Sequence, residues 1–74
     1  MGKEYNGHKN WNQWNVALWI GNDEGLYFHA VELCKRYDRN KAARILKYEL
    51  PEKTPDGARY SLTAIRAALV GILD

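Results

Sequence analysis

All three tryptophans of this 74-residue chain lie within nine positions, inside the tract that runs from Asn10 to Glu24. The rest of the tract is rich in asparagine and in aliphatic side chains. Indoles and amides pack and hydrogen-bond well, but at neutral pH they do not serve as nucleophile, general base or metal ligand. We therefore expect the tract to organise the fold and to carry no catalytic chemistry.

The size of the chain leaves room for one domain, whose single core is marginal unless its helices pack densely or copies associate. Cys34 is the only cysteine, so no disulfide can form within the chain. No segment approaches the roughly 20 apolar residues that span a bilayer, and the N-terminus lacks the apolar stretch of a secretory signal. These features predict a cytoplasmic protein without a membrane partner.

Residues 1–9 are polar and contain the turn dipeptide Asn6-Gly7, which predicts a short polar arm ahead of one helical domain at 10–74. The tryptophan tract that follows is ambiguous, because its apolar residues alternate as in a strand and also share helical faces. Asn10 and Asn12 are candidate N-caps, and Gly21-Asn22 is a stop signal, so we expect a helix.

The fold class predicted for the domain is all-α, a compact bundle of about four short helices. Asn22 begins the second helix as a cap followed by two acids, Asp38 caps the third, Pro51 ends it, and Ser61 caps the fourth. Between the last two helices, Thr54-Pro55-Asp56-Gly57 is typical of a tight turn. The expected helices span 12–21, 23–37, 39–50 and 61–73.

Helical periodicity predicts which side chains face the core. The first helix is apolar nearly all round, and one of its faces combines two tryptophans with a leucine. The expected core residues are Trp11, Trp14, Leu18, Trp19, Leu26, Ala30, Leu33, Ile45, Leu46, Ile65, Leu69 and Ile72.

The last helix has almost no polar side, and its small residues recur four positions apart, a spacing that lets two helix backbones approach closely. Two interpretations remain open. The small face packs against the tryptophan-rich helix of the same chain, or it forms a homodimer interface. The residues concerned are Ala64, Ala67, Ala68 and Gly71.

Positive charge is local although the net charge is only +2, since six of the 11 basic residues lie between Lys35 and Lys47, with Asp38 as the only acid there. Phe28 falls among charged residues on the outer side of its helix and is a candidate aromatic anchor for a partner. Charge on a helix face also serves solubility alone, and a lone exposed aromatic is common. The candidate partner-binding residues are Phe28, Lys35, Arg36, Arg39, Lys41, Arg44, Lys47 and Tyr48.

Catalysis and metal binding find little support. His29 and Cys34 lie five residues apart on one helix, about 140 degrees apart around its axis, so they cannot form a thiolate pair. Two histidines, one cysteine and scattered acids show no recurring ligand spacing. We expect no enzyme activity, no metal and no cofactor.

Two segments carry a family resemblance: Tyr5-Asn6-Gly7 with Asn10-Trp11 and the tract from Trp14 to Tyr27, and, further on, the Thr54-Pro55-Asp56-Gly57 turn. They resemble a family of small, largely uncharacterised proteins encoded by bacteriophages and prophages. The resemblance covers about a third of the chain and implies origin more than activity. No catalytic residues belong to the family's motif.

Three functions are open at this stage. The first is a phage accessory protein that binds a host protein stoichiometrically, such as an anti-restriction or anti-CRISPR-like inhibitor of a bacterial defence system, with charge steering the encounter and Phe28 as anchor. The second is a nucleic-acid-binding module that uses the basic surface of residues 35–47. The third is a self-associating structural component of the phage.

Overall fold

Four α-helices make up most of the part of the chain that the structure describes. The computed structural model describes residues 10–73, with side chains as far as Ile72. The helices are α1 (Trp11–Asn22), α2 (Glu24–Arg36), α3 (Arg39–Glu49) and α4 (Leu62–Leu73). The predicted all-α bundle of four helices is confirmed, and each boundary lies within one residue of its expected position. The arm predicted for residues 1–9 falls outside the described residues.

Asp23 alone connects the first two helices. Its backbone N–H donates to the carbonyl of Trp19 at 3.2 Å and ends α1, while its side chain accepts the amide of Leu26 at 3.0 Å and begins α2. The sequence predicted this cap one residue earlier, at Asn22. The shift has a physical reason, since a carboxylate at a helix N-terminus accepts the free amide and also interacts favourably with the helix dipole.

The predicted caps of α3 and α4 are confirmed, and of the two candidates for α1 the cap is Asn10, whereas Asn12 lies inside the helix. Asn10 accepts the amide of Gln13 at 2.9 Å. Asp38 accepts the amide of Lys41 at 2.8 Å. The Ser61 hydroxyl accepts the amide of Ala64 at 3.1 Å. Each bond satisfies an amide that the first turn of a helix leaves without a partner, so local sequence determines where the helices begin.

All four helices and the loop before α4 contribute to one core. Five predicted core residues are buried, and Leu26, Ile45 and Ile72 pack against them while partly exposed. Several of the buried residues are alanines, whose small side chains let the helices approach closely. The buried apolar residues are Val16, Ile20, Ala30, Leu33, Ala42, Ala43, Leu46, Ala58, Tyr60, Ala64, Ile65, Ala68 and Leu69.

The predicted inner face of α1 is wrong. Trp11 is 40% exposed and Leu18 is 36% exposed, whereas Val16 and Ile20 are fully buried. Trp14 and Trp19, also expected in the core, are half-buried. Because α1 is apolar nearly all round, periodicity alone offered more than one inner face. The face that the protein buries is the one that also carries asparagines, for a reason that lies in the loop before α4.

The homodimer interface predicted on α4 is wrong for two of its four residues. Ala64 and Ala68 are buried within the chain, where α4 packs against α1 and α3. Their small side chains serve close packing inside one molecule, which was the alternative interpretation. Ala67 is half-buried and Gly71 is exposed. Ala64 and Ala68 are therefore closed to a second copy while the domain is folded.

Candidate functional site

The loop between α3 and α4 forms a miniature hairpin, which we call the docked turn (residues 52–60). The Thr54 N–H donates to the Ala58 carbonyl at 2.7 Å, and the Gly57 N–H donates to the Thr54 carbonyl at 2.9 Å. Lys53 and Arg59 pair as an antiparallel bridge. Gly57 has φ 96, a left-handed conformation that glycine adopts without steric cost. The tight turn predicted from the sequence is thus present.

Polar side chains on one face of α1 bind the docked turn at one strand and around its tip. Asn12, Asn15 and Trp19 are three and four residues apart, so they share a helical face. The Asn12 amide makes a reciprocal pair with the backbone of Arg59: its Nδ2 donates to the Arg59 carbonyl at 2.9 Å, and its Oδ1 accepts the Arg59 N–H at 2.8 Å. The Asn12 amide thus bonds both the N–H and the C=O of one residue, as a neighbouring β-strand does, and holds that strand of the turn against α1.

Asn15 is 1% exposed and uses both ends of its amide. Its Nδ2 donates to Asp56 Oδ2 at 2.9 Å, and its Oδ1 accepts the hydroxyl of the buried Thr54 at 2.7 Å. The indole Nε1 of Trp19 donates to the same Asp56 oxygen at 2.9 Å. The polar side of α1 is therefore covered by partners from the same chain.

The hydrogen bonds from Asn15 and then Trp19 hold the pKa of the Asp56 carboxyl below its ordinary value, against a smaller opposite effect of desolvation. A carboxylate that already accepts two hydrogen bonds in its ionised form is a poor proton acceptor. The Asn12, Asn15, Trp19, Thr54 and Asp56 cluster therefore acts structurally. Hydrophobic periodicity did not predict this cluster, although the spacing of the two asparagines and Trp19 on one helical face was a usable signal.

A second surface, on α3, brings together three predicted partner-binding residues. Arg44, Lys47 and Tyr48 line a shallow, open groove with Leu62, the first residue of α4. Tyr48 is 93% exposed and Leu62 is 39% exposed. Lys47 Nζ lies 3.5 Å from the Tyr60 carbonyl. We call these four residues the α3 patch. Leu62 was not predicted, because it belongs to another helix.

The remaining predicted partner residues lie elsewhere or have partners of their own. Phe28 is 58% exposed on α2, with its ring edge against Tyr27 at a centroid distance of 5.7 Å, and it is not among the residues that line the α3 patch. Lys35 lies 3.9 Å from the carboxylate of Glu32. The ammonium group of Lys41 lies 5.1 Å from the ring centroid of Tyr37. The predicted surface is therefore divided.

A groove between α2 and α3 contains one more of the predicted residues, Arg36, beside His29, Glu32 and Tyr37. His29 Nε2 lies 2.7 Å from Glu49 Oε1, so this pair connects the two helices. Arg39 is half-buried at the start of α3. With an acid, an imidazole and a guanidinium in its lining, the groove has mixed charge, and it lacks the single sign that the α3 patch shows.

Cys34 is half-buried, and burial raises the pKa of its thiol, partly offset by the positive charge of Arg39. A raised pKa leaves little thiolate at neutral pH, which disfavours a nucleophilic role. Among residues 10–73, no group of three or more histidine, cysteine, aspartate or glutamate side chains is placed to hold a metal ion. None of the helices described is long and apolar enough to cross a membrane.

A protein family described as a family of unknown function (DUF7249) matches residues 1–73. No curated protein and no solved structure matches the chain.

Proposed function

Because the chain belongs to this family of unknown function, we propose a role from its own surface: it is a small binding protein that docks on another protein through the α3 patch. The observation that carries the proposal is the Tyr48 ring, which is 93% exposed in a groove with Arg44 and Lys47. A folded chain gains no core stabilisation from an aromatic ring so exposed.

The chemistry of the α3 patch supports a partner of a definite kind. Tyrosine and arginine are enriched among the residues that dominate binding energy at interfaces, where a ring covered by the partner excludes water around charged neighbours. Arg44 and Lys47 favour acidic groups, and Leu62 offers an apolar contact beside them. The partner surface that fits is an acidic segment with one apolar side chain.

The resemblance to bacteriophage proteins supports a bacterial host protein as the partner. We therefore extend the proposal to stoichiometric inhibition of a host protein, with a component of a restriction or CRISPR system as the specific candidate. Binding of this kind needs no catalytic group, which agrees with the structural role assigned to the Asp56 cluster. Positive charge on the α3 patch would raise the rate of encounter with an acidic target.

Affinity purification from the bacterial host tests the proposal, with nuclease treatment to remove partners bridged by nucleic acid. We expect Tyr48→Ala and Arg44→Glu to reduce recovery of the native protein's partner by about tenfold or more, as loss of a hot-spot residue does. Phe28→Ala and Lys35→Glu are matched controls, since they make the same kinds of change on the exposed side of α2. Circular dichroism of each variant checks that helicity is kept.

The outcome decides between two anchors. Recovery lost with Tyr48→Ala but kept with Phe28→Ala supports the α3 patch. The reverse result would place the anchor on α2, as the sequence analysis predicted, and would overturn the proposal. Recovery equal to that of the native protein with all four variants would exclude both the α3 patch and the exposed side of α2 as the binding site.

A second candidate function is binding of single-stranded nucleic acid. The same exposed Tyr48 ring can stack on a base while Arg44 and Lys47 neutralise phosphates. Two phosphate contacts predict that the logarithm of the binding constant falls with the logarithm of salt concentration with a slope of about −1.4. Fluorescence anisotropy with a labelled oligonucleotide measures this slope. A failure to bind at low salt would exclude this function and leave protein docking in place.

A further inference from the structure

The outer face of α1 is exposed, is apolar apart from Asn22 at its C-terminal end, and is used by neither proposed function. Trp11 and Leu18 are the exposed members, and they lie two helical turns apart on the side opposite Val16 and Ile20. Trp14 lies between them along the same line, half-buried, and Gly21 continues it with open space above its α-carbon. The spacing of positions 11, 14, 18 and 21 is the three-four spacing of helices that pair along a seam.

The charge of this side of the molecule is unusual. α1 contains no charged residue, and α4, which packs on it, contains only Arg66, whose guanidinium donates to Asn40 on α3. The charged residues of the helices otherwise belong to α2 and α3. A partner for the outer face of α1 must therefore present an apolar surface without charges, because any charge buried there would lose its hydration without compensation.

We propose that this face is a contact between two copies of the chain, with the two α1 helices antiparallel. A second copy presents a neutral, apolar helix of the same length, which matches the requirement above. The orientation follows from charge. Asp23 and Glu24, both exposed, follow α1 directly. An antiparallel partner keeps the acids of the two copies at opposite ends of the helix pair, whereas a parallel partner places them beside each other, where like charges repel.

The antiparallel arrangement sets a register that can be tested. The two-fold axis passes beside Trp14 and Asn15, so Trp11 of one copy faces Leu18 of the other, and the contact occurs twice. The 12 residues of α1 span about 18 Å, so the helix pair alone buries less than the roughly 800 Å² per partner of a standard stable interface. The dimer is therefore weak and forms at high protein concentration. This contact does not depend on the α3 patch.

Sedimentation velocity of the full chain over a range of concentrations from about 10 µM to about 1 mM tests the proposal, since weak interfaces correspond to dissociation constants in this range. We expect the mass to rise from the 8.6 kDa of one chain toward twice that value. Trp11→Lys and Leu18→Glu should each remain a single chain throughout. Tyr48→Ala and Phe28→Ala, which remove exposed rings on other helices, should associate like the native protein.

Mixing the two α1 variants examines the register directly. In an antiparallel mixed dimer, Lys at position 11 faces Glu at position 18, and the second contact is the native Trp11–Leu18 pair, so mixing restores association. In a parallel dimer, positions 11 and 18 face their own equivalents, and mixing restores neither contact. A native chain that stays at 8.6 kDa at 1 mM overturns the proposal. So does association that survives either α1 variant, or variants that do not recover on mixing.

Discussion

Asn15 lies almost fully buried, yet both ends of its amide have partners in the docked turn. A buried amide without partners costs about 1–3 kcal/mol, so an asparagine on the inner side of a helix is stable only when something supplies a donor and an acceptor. Thr54 and Asp56 supply them, two residues apart on the turn. One side chain thus connects α1 to a segment about 40 residues further along the chain.

Asp56 makes the stability of this connection depend on pH. Its folded-state pKa lies below the ordinary value of 3.8, so its contribution is complete above that value and is lost as the pH falls through the folded pKa. We expect the free energy of unfolding of the native protein to fall relative to that of the Asp56→Asn variant as the pH falls from about 5 to about 2. The reason is that the variant has no carboxyl at position 56 to protonate. Urea unfolding midpoints measured across this range give the difference.

Glu52→Gln is the control for this experiment, since it removes a carboxylate from the same turn without touching the bonds to Asn15 and Trp19. A stability difference between the native protein and Asp56→Asn that stays constant with pH would show that those two bonds do not favour the ionised carboxyl.

Among the elements, the helices were predictable and the orientation of α1 was not. Asp38 and Ser61 cap helices that follow them directly, so a local pattern determines each start. Which face of α1 is buried depends on a contact between Asn15 and a turn distant in sequence, and periodicity contains no information about such a contact. The division of the predicted partner surface has the same origin, because Tyr48 and Leu62 become neighbours only through the packing of α3 on α4.

Two glycines in different elements should respond with opposite sign to the same substitution. Gly57 holds φ 96 in the docked turn, so Gly57→Ala should lower the free energy of unfolding by about 1–2 kcal/mol. Gly21 lies inside α1 with nothing within 4 Å of an added Cβ, so Gly21→Ala should raise it by about 0.5–1 kcal/mol through helix propensity. Urea denaturation measures both, and a shared sign would contradict this account.

At the scale of the whole molecule, the helices divide by charge. α1 and α4 together contain one charged residue, while α2 and α3 carry the other charged residues of the helices. The docked turn adds charged residues beside α1. The arrangement places the α3 patch at the border, where Leu62 from α4 meets Arg44 and Lys47. One molecule thus offers two surfaces of different chemistry, and each of the two proposed contacts uses a different one.

Packing of α4 inside the molecule leads to a prediction about its small residues. Ala68 is 4% exposed, so Ala68→Leu should overfill the core and lower the free energy of unfolding by about 1–3 kcal/mol. Gly71 is exposed with open space above it, so Gly71→Leu should cause no loss. Thermal unfolding compares the two. Equal tolerance of both would mean that the face around Ala68 is open, and would restore the dimer interface predicted there.

The docked turn also bears on how such a protein changes over generations. A substitution at position 15 or 19 removes a hydrogen-bond donor to the carboxylate of Asp56. A substitution at position 12 leaves the backbone N–H of Arg59 without its acceptor. We therefore expect descendants of a common ancestor to alter these two stretches in concert. Aligned relatives that varied one stretch freely while keeping the other would argue against it.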